Sequence, residues 1–86
     1  YIIYQTTLYG GCILKSFYQY LLTFRQPKDI DAITKFANDA FLDHGFPKHS
    51  IDYHEISAYL EMYGHYLDSM SVFDEAWEQY ATIYNL

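Results

Sequence analysis

The sequence contains few of the residues with which small proteins commonly cross-link their fold or bind a cofactor. It has a single cysteine, Cys12, so no internal disulfide bond and no cysteine-based metal site can form. No apolar run reaches the roughly 18–20 residues that a membrane-spanning helix requires. The apolar N-terminus has neither a basic n-region nor a small-residue cleavage site, so a signal peptide is not predicted. These absences favour a protein of the reducing cytoplasm that has no membrane partner.

Basic residues are also scarce, and their placement is uneven. The 86-residue chain has 5 Lys and Arg against 11 Asp and Glu, which gives a net charge of −6. All five bases lie at or before Lys48, whereas seven acids and no Lys or Arg occur from Asp52 onward. A solvated acidic surface that keeps the protein soluble is the simplest interpretation. The alternative is that the C-terminal half binds a basic partner.

Aromatic residues, by contrast, are abundant, with eleven Tyr, six Phe and one Trp. A domain of this size buries only about 60% of its unfolded surface, so its core needs large side chains. Each aromatic side chain buries about 150–250 Å². The composition therefore predicts one small domain with an aromatic core.

Residues 1–14 differ in character from the rest of the chain. They carry no charge, are rich in β-branched and aromatic residues, and include the pair Gly10-Gly11. A Gly-Gly pair can be encoded by a ribosome-binding sequence and a leucine codon can serve as a start, so we hypothesise that Leu14 is the initiator. We therefore expect residues 1–14 to be a non-native extension, with residues 1–13 translated from leader sequence and Leu14 standing for the initiator Met, and residues 15–86 to form a single domain.

Within residues 15–86 the apolar residues follow the period of α-helices. The pattern predicts an all-α fold, a compact bundle of four or five short helices. Ser16 is the predicted N-cap of the first helix, which Pro27 stops. Asp29 or Asp31 caps the second helix, and Gly45 is expected to follow its end with a positive φ.

The pattern of capping and apolar residues in the second half of the domain predicts two further helices. Asp52 and Glu55 have the spacing of a capping box at the start of the third helix, which Gly64 ends. Ser71 is the predicted N-cap of the fourth helix, with Asp74 as its third residue. Phe46 is expected to be a buried plug between helices. The residues that share one face of each predicted helix are, in chain order, Phe17, Tyr20, Leu21, Phe24; Ile30, Ile33, Phe36, Ala37, Ala40, Phe41; Tyr53, Ile56, Tyr59, Leu60, Tyr63; Phe73, Ala76, Trp77, Tyr80 and Tyr84.

Several separated blocks of the sequence carry a resemblance to one family. They are residues 15–22 (KSFYQYLL) with Arg25, residues 46–48 (FPK), residues 52–61 (DYHEISAYLE) and residues 73–80 (FDEAWEQY). In this order they resemble the YozE-like family, small uncharacterised proteins of Gram-positive bacteria. The resemblance covers residues 15 to about 84, implies a SAM-like helical fold, and implies a start at the position of Leu14. It brings no catalytic residues, and SAM-like folds bind proteins in many cases and nucleic acids in some, so a function drawn from the fold is analogy.

No arrangement of residues predicts an enzyme, a cofactor or a metal site. His49, Asp52, His54 and Glu55 are close in sequence, but neighbours on a helix such as His54 and Glu55 point roughly 100° apart and share a ligand poorly. The sequence has no HExxH motif, no nucleophile-elbow serine and no glycine-rich phosphate loop. Most acids occupy predicted N-caps, first turns or outer faces, where helix stabilisation accounts for them. We therefore predict a non-enzymatic domain without a cofactor or metal.

A protein-interaction module is the favoured function. The acidic C-terminal half supplies Glu61, Glu75 and Glu78 as candidate contacts for an unidentified basic protein. Tyrosines at the surface are typical of interfaces. The tyrosines expected to lie partly at the surface, with hydroxyls in water, are Tyr18, Tyr59, Tyr63, Tyr66 and Tyr84.

The alternative function is nucleic-acid binding through a basic patch of Arg25, Lys28 and Lys48. The predicted loops that carry these residues could converge on one face of the bundle. Three phosphate contacts give only weak binding, because affinity rises with the number of counterions released. The third helix carries acids and no base, which argues against a helix-turn-helix reader. The oligomeric state is left open by the sequence.

Overall fold

The computed structural model describes residues 15–86, which contain four α-helices: α1 (Phe17–Leu22), α2 (Ala32–Leu42), α3 (Tyr53–Tyr63) and α4 (Met70–Tyr84). No strand occurs within these residues. Helix α2 packs against α1 and α4, and α4 also packs against α1 and α3. The predicted all-α bundle of four helices is confirmed. The predictions made for residues 1–14 fall outside the described residues.

Side-chain caps begin the first three helices where the sequence predicts them. The Ser16 hydroxyl accepts the backbone N–H of Gln19 at 3.2 Å, and the Gln19 side chain accepts the N–H of Ser16 at 3.1 Å, which completes a capping box. Asp31 and Asp52 accept backbone N–H groups in the first turns of α2 and α3 at 2.8 and 2.9 Å. Each cap satisfies a donor that the helix itself cannot pair.

The start of α4 differs from the prediction by two residues. Ser69, not Ser71, is the N-cap, since its hydroxyl accepts the N–H of Ser71 at 3.1 Å. Both serines have the chemistry of a cap, and the earlier one begins the helix at Met70. The placement of Asp74 as the third residue of the helix is wrong for the same reason.

At the start of α3, Ser50 takes part in the capping although the sequence did not predict it. The N–H of Asp52 donates to the Ser50 hydroxyl at 3.1 Å, and that hydroxyl donates to the Glu55 carboxylate at 2.7 Å. Glu55 thus supports the N-cap through Ser50 in place of a direct capping-box bond.

Two helix ends depart from the predicted pattern. Helix α1 ends at Leu22, well before Pro27, because the following amides bond three residues back and tighten the chain into turns. The positive φ expected at Gly45 is found instead at Asn85, the C-cap of α4, with φ 62°. Gly45 permits a close approach, since a Cβ there would lie 3.0 Å from the Tyr59 hydroxyl and would press on it.

The aromatic core is centred on Phe17. Its ring centroid lies 5.5 Å from Phe73, 5.5 Å from Trp77, 5.6 Å from Tyr80 and 6.3 Å from Phe36. Such pairs contribute about 0.5–1.5 kcal/mol each beyond the area that they bury. One ring of α1 therefore joins α2 and α4 in a single cluster.

The plug predicted at Phe46 is confirmed. Its ring is buried and lies 5.4 Å from the ring of Tyr18 and 5.8 Å from that of Tyr59. Tyr18 is buried with it, so the expectation that Tyr18 lies partly at the surface is wrong. Phe46 thus packs between α1 and α3, which supports the connection that enters α3.

Two residues predicted to face inward lie at the surface. Ile30 is 68% exposed because it precedes α2, and Phe41 (42%) lies in the last turn of α2. Tyr63, in the last turn of α3, is 56% exposed, as expected of a tyrosine partly at the surface. Other members of the predicted faces are only half-buried. These are Phe24, Ile33, Tyr53, Tyr59, Trp77 and Tyr84.

Candidate interaction surfaces

An acidic groove runs along the outer side of α4 beside α1. It has a volume of about 590 Å³ and is lined by Tyr20, Glu75, Glu78, Gln79, Thr82 and Ile83. Glu75 and Glu78 are exposed and three residues apart, so they lie on one face of the helix. Ile83 is 62% exposed at the same groove. The arrangement offers two carboxylates beside apolar surface.

Tyr20 forms the α1 side of the acidic groove. Its hydroxyl donates to the side-chain oxygen of Gln79 at 3.4 Å. Burial raises the pKa of Tyr20, and the neighbouring Tyr84 acts in the same direction. Tyr20 therefore stays neutral near neutral pH, and the negative charge of the groove comes from the two glutamates.

Glu61, the third predicted acidic contact, lies elsewhere. It borders a separate groove of about 360 Å³ at the end of α3, together with Met62, His65 and Met70. The hydrogen bond from the Tyr53 hydroxyl to Asp74, at 2.8 Å, raises the pKa of Tyr53, and the charge of Glu61 adds to this rise as the smallest cause. The structure thus brings Glu75 and Glu78 together and places Glu61 apart from them.

The predicted basic residues are held by aromatic rings and backbone oxygens. The guanidinium carbon of Arg25 lies 3.6 Å from the centroid of the Phe41 ring. The ammonium of Lys48 donates to the carbonyl of His44 at 2.8 Å and lies 5.6 Å from the Tyr18 ring. Lys28 is exposed in the connection between α1 and α2. Two of the three cations are therefore engaged within the domain.

A further cavity, the tyrosine pocket, lies where the C-terminal ends of α2 and α3 meet the connection to α4. Its volume is about 420 Å³, and its lining residues are Asp39, Leu42, Asp43, Tyr59, Tyr63, His65 and Tyr66. Four of these seven side chains are aromatic rings and two are carboxylates.

Asp43 is the polar centre of the tyrosine pocket. Its carboxylate accepts the Tyr59 hydroxyl at 2.7 and 2.9 Å, the Tyr66 hydroxyl at 2.9 Å and the N–H of Gly45 at 3.1 Å. Asp43 is also the C-cap of α2, where the helix dipole disfavours a negative charge. The three donors compensate for this position. The expectation that the hydroxyls of Tyr59 and Tyr66 lie in water is therefore wrong.

These hydrogen bonds fix the protonation states of the pocket. Desolvation by burial raises the pKa of Tyr59 to about 12, and the bond to Asp43 acts in the same direction. The same two causes, in the same order, raise the pKa of Tyr66. Burial alone would raise the pKa of Asp43, but the bonds from Tyr59, Tyr66 and Gly45 outweigh it, and the pKa is lowered. Near neutral pH the group is one carboxylate and two neutral phenols.

Two ring pairs form the aromatic walls of the pocket. Tyr59 and Tyr63 have centroids 5.2 Å apart, and His65 and Tyr66 have centroids 5.9 Å apart. Leu42, which is 70% exposed, adds apolar surface at the opening. The pocket therefore combines a charged centre with aromatic and aliphatic walls.

Lys35 connects α2 to the segment between α3 and α4 at one side of the tyrosine pocket. Its ammonium donates to Asp39 at 2.8 Å and to the carbonyl of Tyr66 at 2.9 Å. This is the sole ion pair within residues 15–86, so the charge of Asp43 is balanced by hydrogen bonds and not by a base in contact. Lys48 acts on Asp43 only at longer range, as a minor cause of its lowered pKa.

Asp43 was not among the site residues predicted from the sequence. The available signal was an acid at the end of a predicted helix, where it is electrostatically unfavourable, followed two residues later by glycine. That pattern indicates a need for compensating donors but does not say which residues supply them. Tyr59 and Tyr66 could be named only after α2 and α3 were placed together.

Neither a metal-binding cluster nor a membrane-spanning helix is found in the part of the chain that the structure describes. Within residues 15–86 no three His, Cys, Asp or Glu side chains are grouped closely enough to hold a metal ion. Over that same range, no helix combines the length and apolarity needed to cross a membrane. His49 and His54 are exposed, and the carboxylate of Asp52 caps α3.

Comparison with known proteins tests the family resemblance. The profile of the family described as the YozE SAM-like fold matches residues 16–82. A UPF0346 protein of Bacillus velezensis is 61% identical over 69 residues, which cover 80% of this chain and 93% of the relative. The UPF0346 protein YozE of Bacillus subtilis is 61% identical over 67 residues, covering 78% and 90%. A UPF0346 protein of Lactiplantibacillus plantarum is 56% identical over 66 residues, covering 77% and 90%. The chain therefore belongs to the YozE SAM-like family of uncharacterised proteins.

Proposed function

We propose that this domain is a non-enzymatic protein-interaction module of the cytoplasm, and that it binds a basic partner in the acidic groove. The observation that carries the proposal is the juxtaposition of Glu75 and Glu78 with the exposed Ile83 in one groove. No Lys or Arg lines that groove. Protein interfaces combine an apolar centre with a polar rim, so Ile83 flanked by two carboxylates has the make-up of a small interface.

The electrostatics of α4 support a basic partner. The helix has no base in its last turn, so the negative end of its dipole is not neutralised from within the helix. That end lies at Ile83 and Tyr84, next to the groove. The helix dipole and the two glutamates therefore both attract positive charge, which increases the rate of association with a cationic segment.

The dimensions of the groove limit the partner to a short contact. A volume of about 590 Å³ accommodates a few side chains. The complementary segment would carry two Lys or Arg residues for Glu75 and Glu78 and an apolar residue that packs on Ile83. Exposed ion pairs contribute only about 0–1 kcal/mol each, so the apolar contact supplies much of the affinity.

Affinity capture from the native cytoplasm, with and without nuclease, tests this proposal. We expect a protein partner whose recovery is unaffected by nuclease and falls when Glu75 and Glu78 are both changed to Lys. Glu61→Lys is the matched control, because Glu61 lies in another groove. Equal losses in the double variant and the control would contradict the assignment of the groove.

A second function, nucleic-acid binding, is favoured by one observation. The guanidinium of Arg25 covers the partly exposed Phe41, and such a pair can accept an unpaired base by stacking. Lys28 and Lys48 would then contact phosphates. Recovery that disappears after nuclease treatment would support this function in place of the first.

A further inference from the structure

We infer that the tyrosine pocket is a binding site for an organic cation of the quaternary or methylated ammonium class. The site is distinct from the acidic groove and does not depend on the function proposed for it. The inference starts from the lining of the pocket, which joins four aromatic rings, Leu42 and the Asp43 carboxylate around about 420 Å³.

The aromatic walls supply the first element of cation recognition. The electron-rich face of an aromatic ring attracts a cation within about 6 Å of its centroid. Tyr59 and Tyr66 each donate a hydroxyl hydrogen to a carboxylate, which increases the electron density of their rings. Tyr63, packed against Tyr59 and 56% exposed, leaves ring surface accessible at the opening.

The Asp43 carboxylate supplies a charge whose hydrogen-bonding capacity is largely used. A carboxylate offers roughly four acceptor positions. Tyr59 shares its one hydroxyl hydrogen between Oδ1 and Oδ2, the N–H of Gly45 donates to Oδ1 and the Tyr66 hydroxyl donates to Oδ2, so three donors already occupy the group. The negative charge remains, and about one acceptor position is left for the N–H donors of a ligand.

The combination of aromatic rings with a carboxylate that is already hydrogen-bonded selects between classes of cation. A primary ammonium or a guanidinium must exchange its bonds to water for bonds to acceptors, and an unmet donor costs affinity. A quaternary ammonium has no N–H donor and is held by charge and ring faces alone. The second carboxylate, Asp39, is already paired with Lys35 at 2.8 Å, so its charge is balanced and it adds little net attraction for a cation.

Choline and its neutral isostere 3,3-dimethylbutan-1-ol test the inference, since choline has a positively charged nitrogen where the isostere has a neutral carbon. Titration followed by ¹⁵N–¹H NMR should show saturable choline binding, with shifts concentrated at residues 42–45 and 59–66. We expect choline to bind at least about tenfold more tightly than the isostere and than ethanolamine, its primary ammonium analogue. Equal binding of choline and the isostere, or no saturation, would overturn the inference.

Variants of Tyr63 assign the binding to the pocket. Tyr63→Leu should weaken choline binding by about 2- to 30-fold, the range expected for one cation–aromatic contact, and Tyr63→Phe should restore it. Tyr63 is exposed, so both variants should remain folded. Tyr84→Leu, on α4 and not among the residues that line the pocket, is the control. Unchanged affinity in Tyr63→Leu would overturn the site assignment.

The source of the cation is distinguished by a peptide that contains trimethyllysine and by its unmethylated counterpart. Tighter binding of the methylated peptide than of choline would identify a modified protein as the source. Tighter binding of choline would identify a small free cation. Preference for the unmethylated peptide would contradict the selection against N–H donors and overturn the inference.

Discussion

The hydroxyl of Tyr66 donates to the carboxylate of Asp43 at 2.9 Å, although 23 residues separate them in the sequence. Asp43 ends α2, whereas Tyr66 lies in the connection between α3 and α4. Tyr59, from α3, donates to the same carboxylate. One acid thus links three segments that otherwise meet at the edge of the core.

Asp43→Ala should destabilise the domain by about 1–3 kcal/mol, because it removes the acceptor of two partly buried hydroxyls and one backbone amide. The free energy of unfolding can be measured by urea denaturation. Asp39→Ala, on the same helix, removes only the partly exposed pair with Lys35 and should cost about 0–1 kcal/mol. Equal costs in the two variants would show that the hydrogen bonds of Asp43 contribute little.

The stability of the domain should fall in acid in a way that depends on Asp43. Its pKa in the folded protein is lowered from the ordinary value of 3.8, so its contribution is present above that value. The contribution is lost as the pH falls through the lower pKa of the folded state. Asp31, whose pKa is lowered by the Thr34 N–H, behaves in the same way.

Asp43→Asn should therefore flatten the dependence of unfolding free energy on pH below about pH 4, while leaving part of it to Asp31. Urea denaturation at a series of pH values between neutrality and pH 2 measures the slope. A slope identical to that of the wild type would mean that Asp43 has the same pKa in the folded and unfolded states.

Phe17→Ala should destabilise the domain by about 3–5 kcal/mol, the usual cost of removing a large buried aromatic side chain. Phe17 is fully buried and contacts rings on α2 and α4. Trp77→Ala should cost less, since Trp77 is only half-buried. Thermal or urea unfolding of both variants measures the order, and a larger loss in Trp77→Ala would place the centre of the core nearer to α4.

The parts of this fold that could be predicted are those set by local sequence. Ser16, Asp31 and Asp52 cap helices through amides two or three residues away, so their roles follow from spacing. The start of α4 was predicted two residues too late, at Ser71, because Ser69 satisfies the same local rule and lies earlier in the chain. Burial of the helix ends, as at Phe41, depends on where neighbouring helices stop.

The candidate sites were harder to predict because they join distant segments. Glu75 and Glu78 could be paired from helical spacing, but the position of Glu61 relative to them depends on how α3 packs on α4. The bonds from Tyr59 and Tyr66 to Asp43 span 16 and 23 residues and have no local signature. The charge distribution and the helix caps could thus be predicted from the sequence, whereas the tyrosine pocket could be identified only in the folded bundle.

Charge reversal separates the two proposed functions. If the acidic groove binds a basic protein, Glu75→Lys with Glu78→Lys should weaken capture most strongly at low salt, where exposed charges are least screened. Changing Arg25, Lys28 and Lys48 to Glu should then have little effect. Nucleic-acid binding predicts the reverse: the basic triple variant loses binding, and its salt slope falls by roughly one unit per phosphate contact removed.

Both sets of substitutions should leave the domain folded, because exposed charges contribute only about 0–1 kcal/mol each. Arg25 needs its own control, since its guanidinium also covers Phe41 at 3.6 Å. Arg25→Lys keeps the charge but loses the planar stacking group, so it tests the aromatic contact apart from the charge. Circular dichroism and thermal unfolding verify folding before capture is compared. Loss of the protein partner in the basic triple variant alone, with normal unfolding, would contradict binding at the acidic groove.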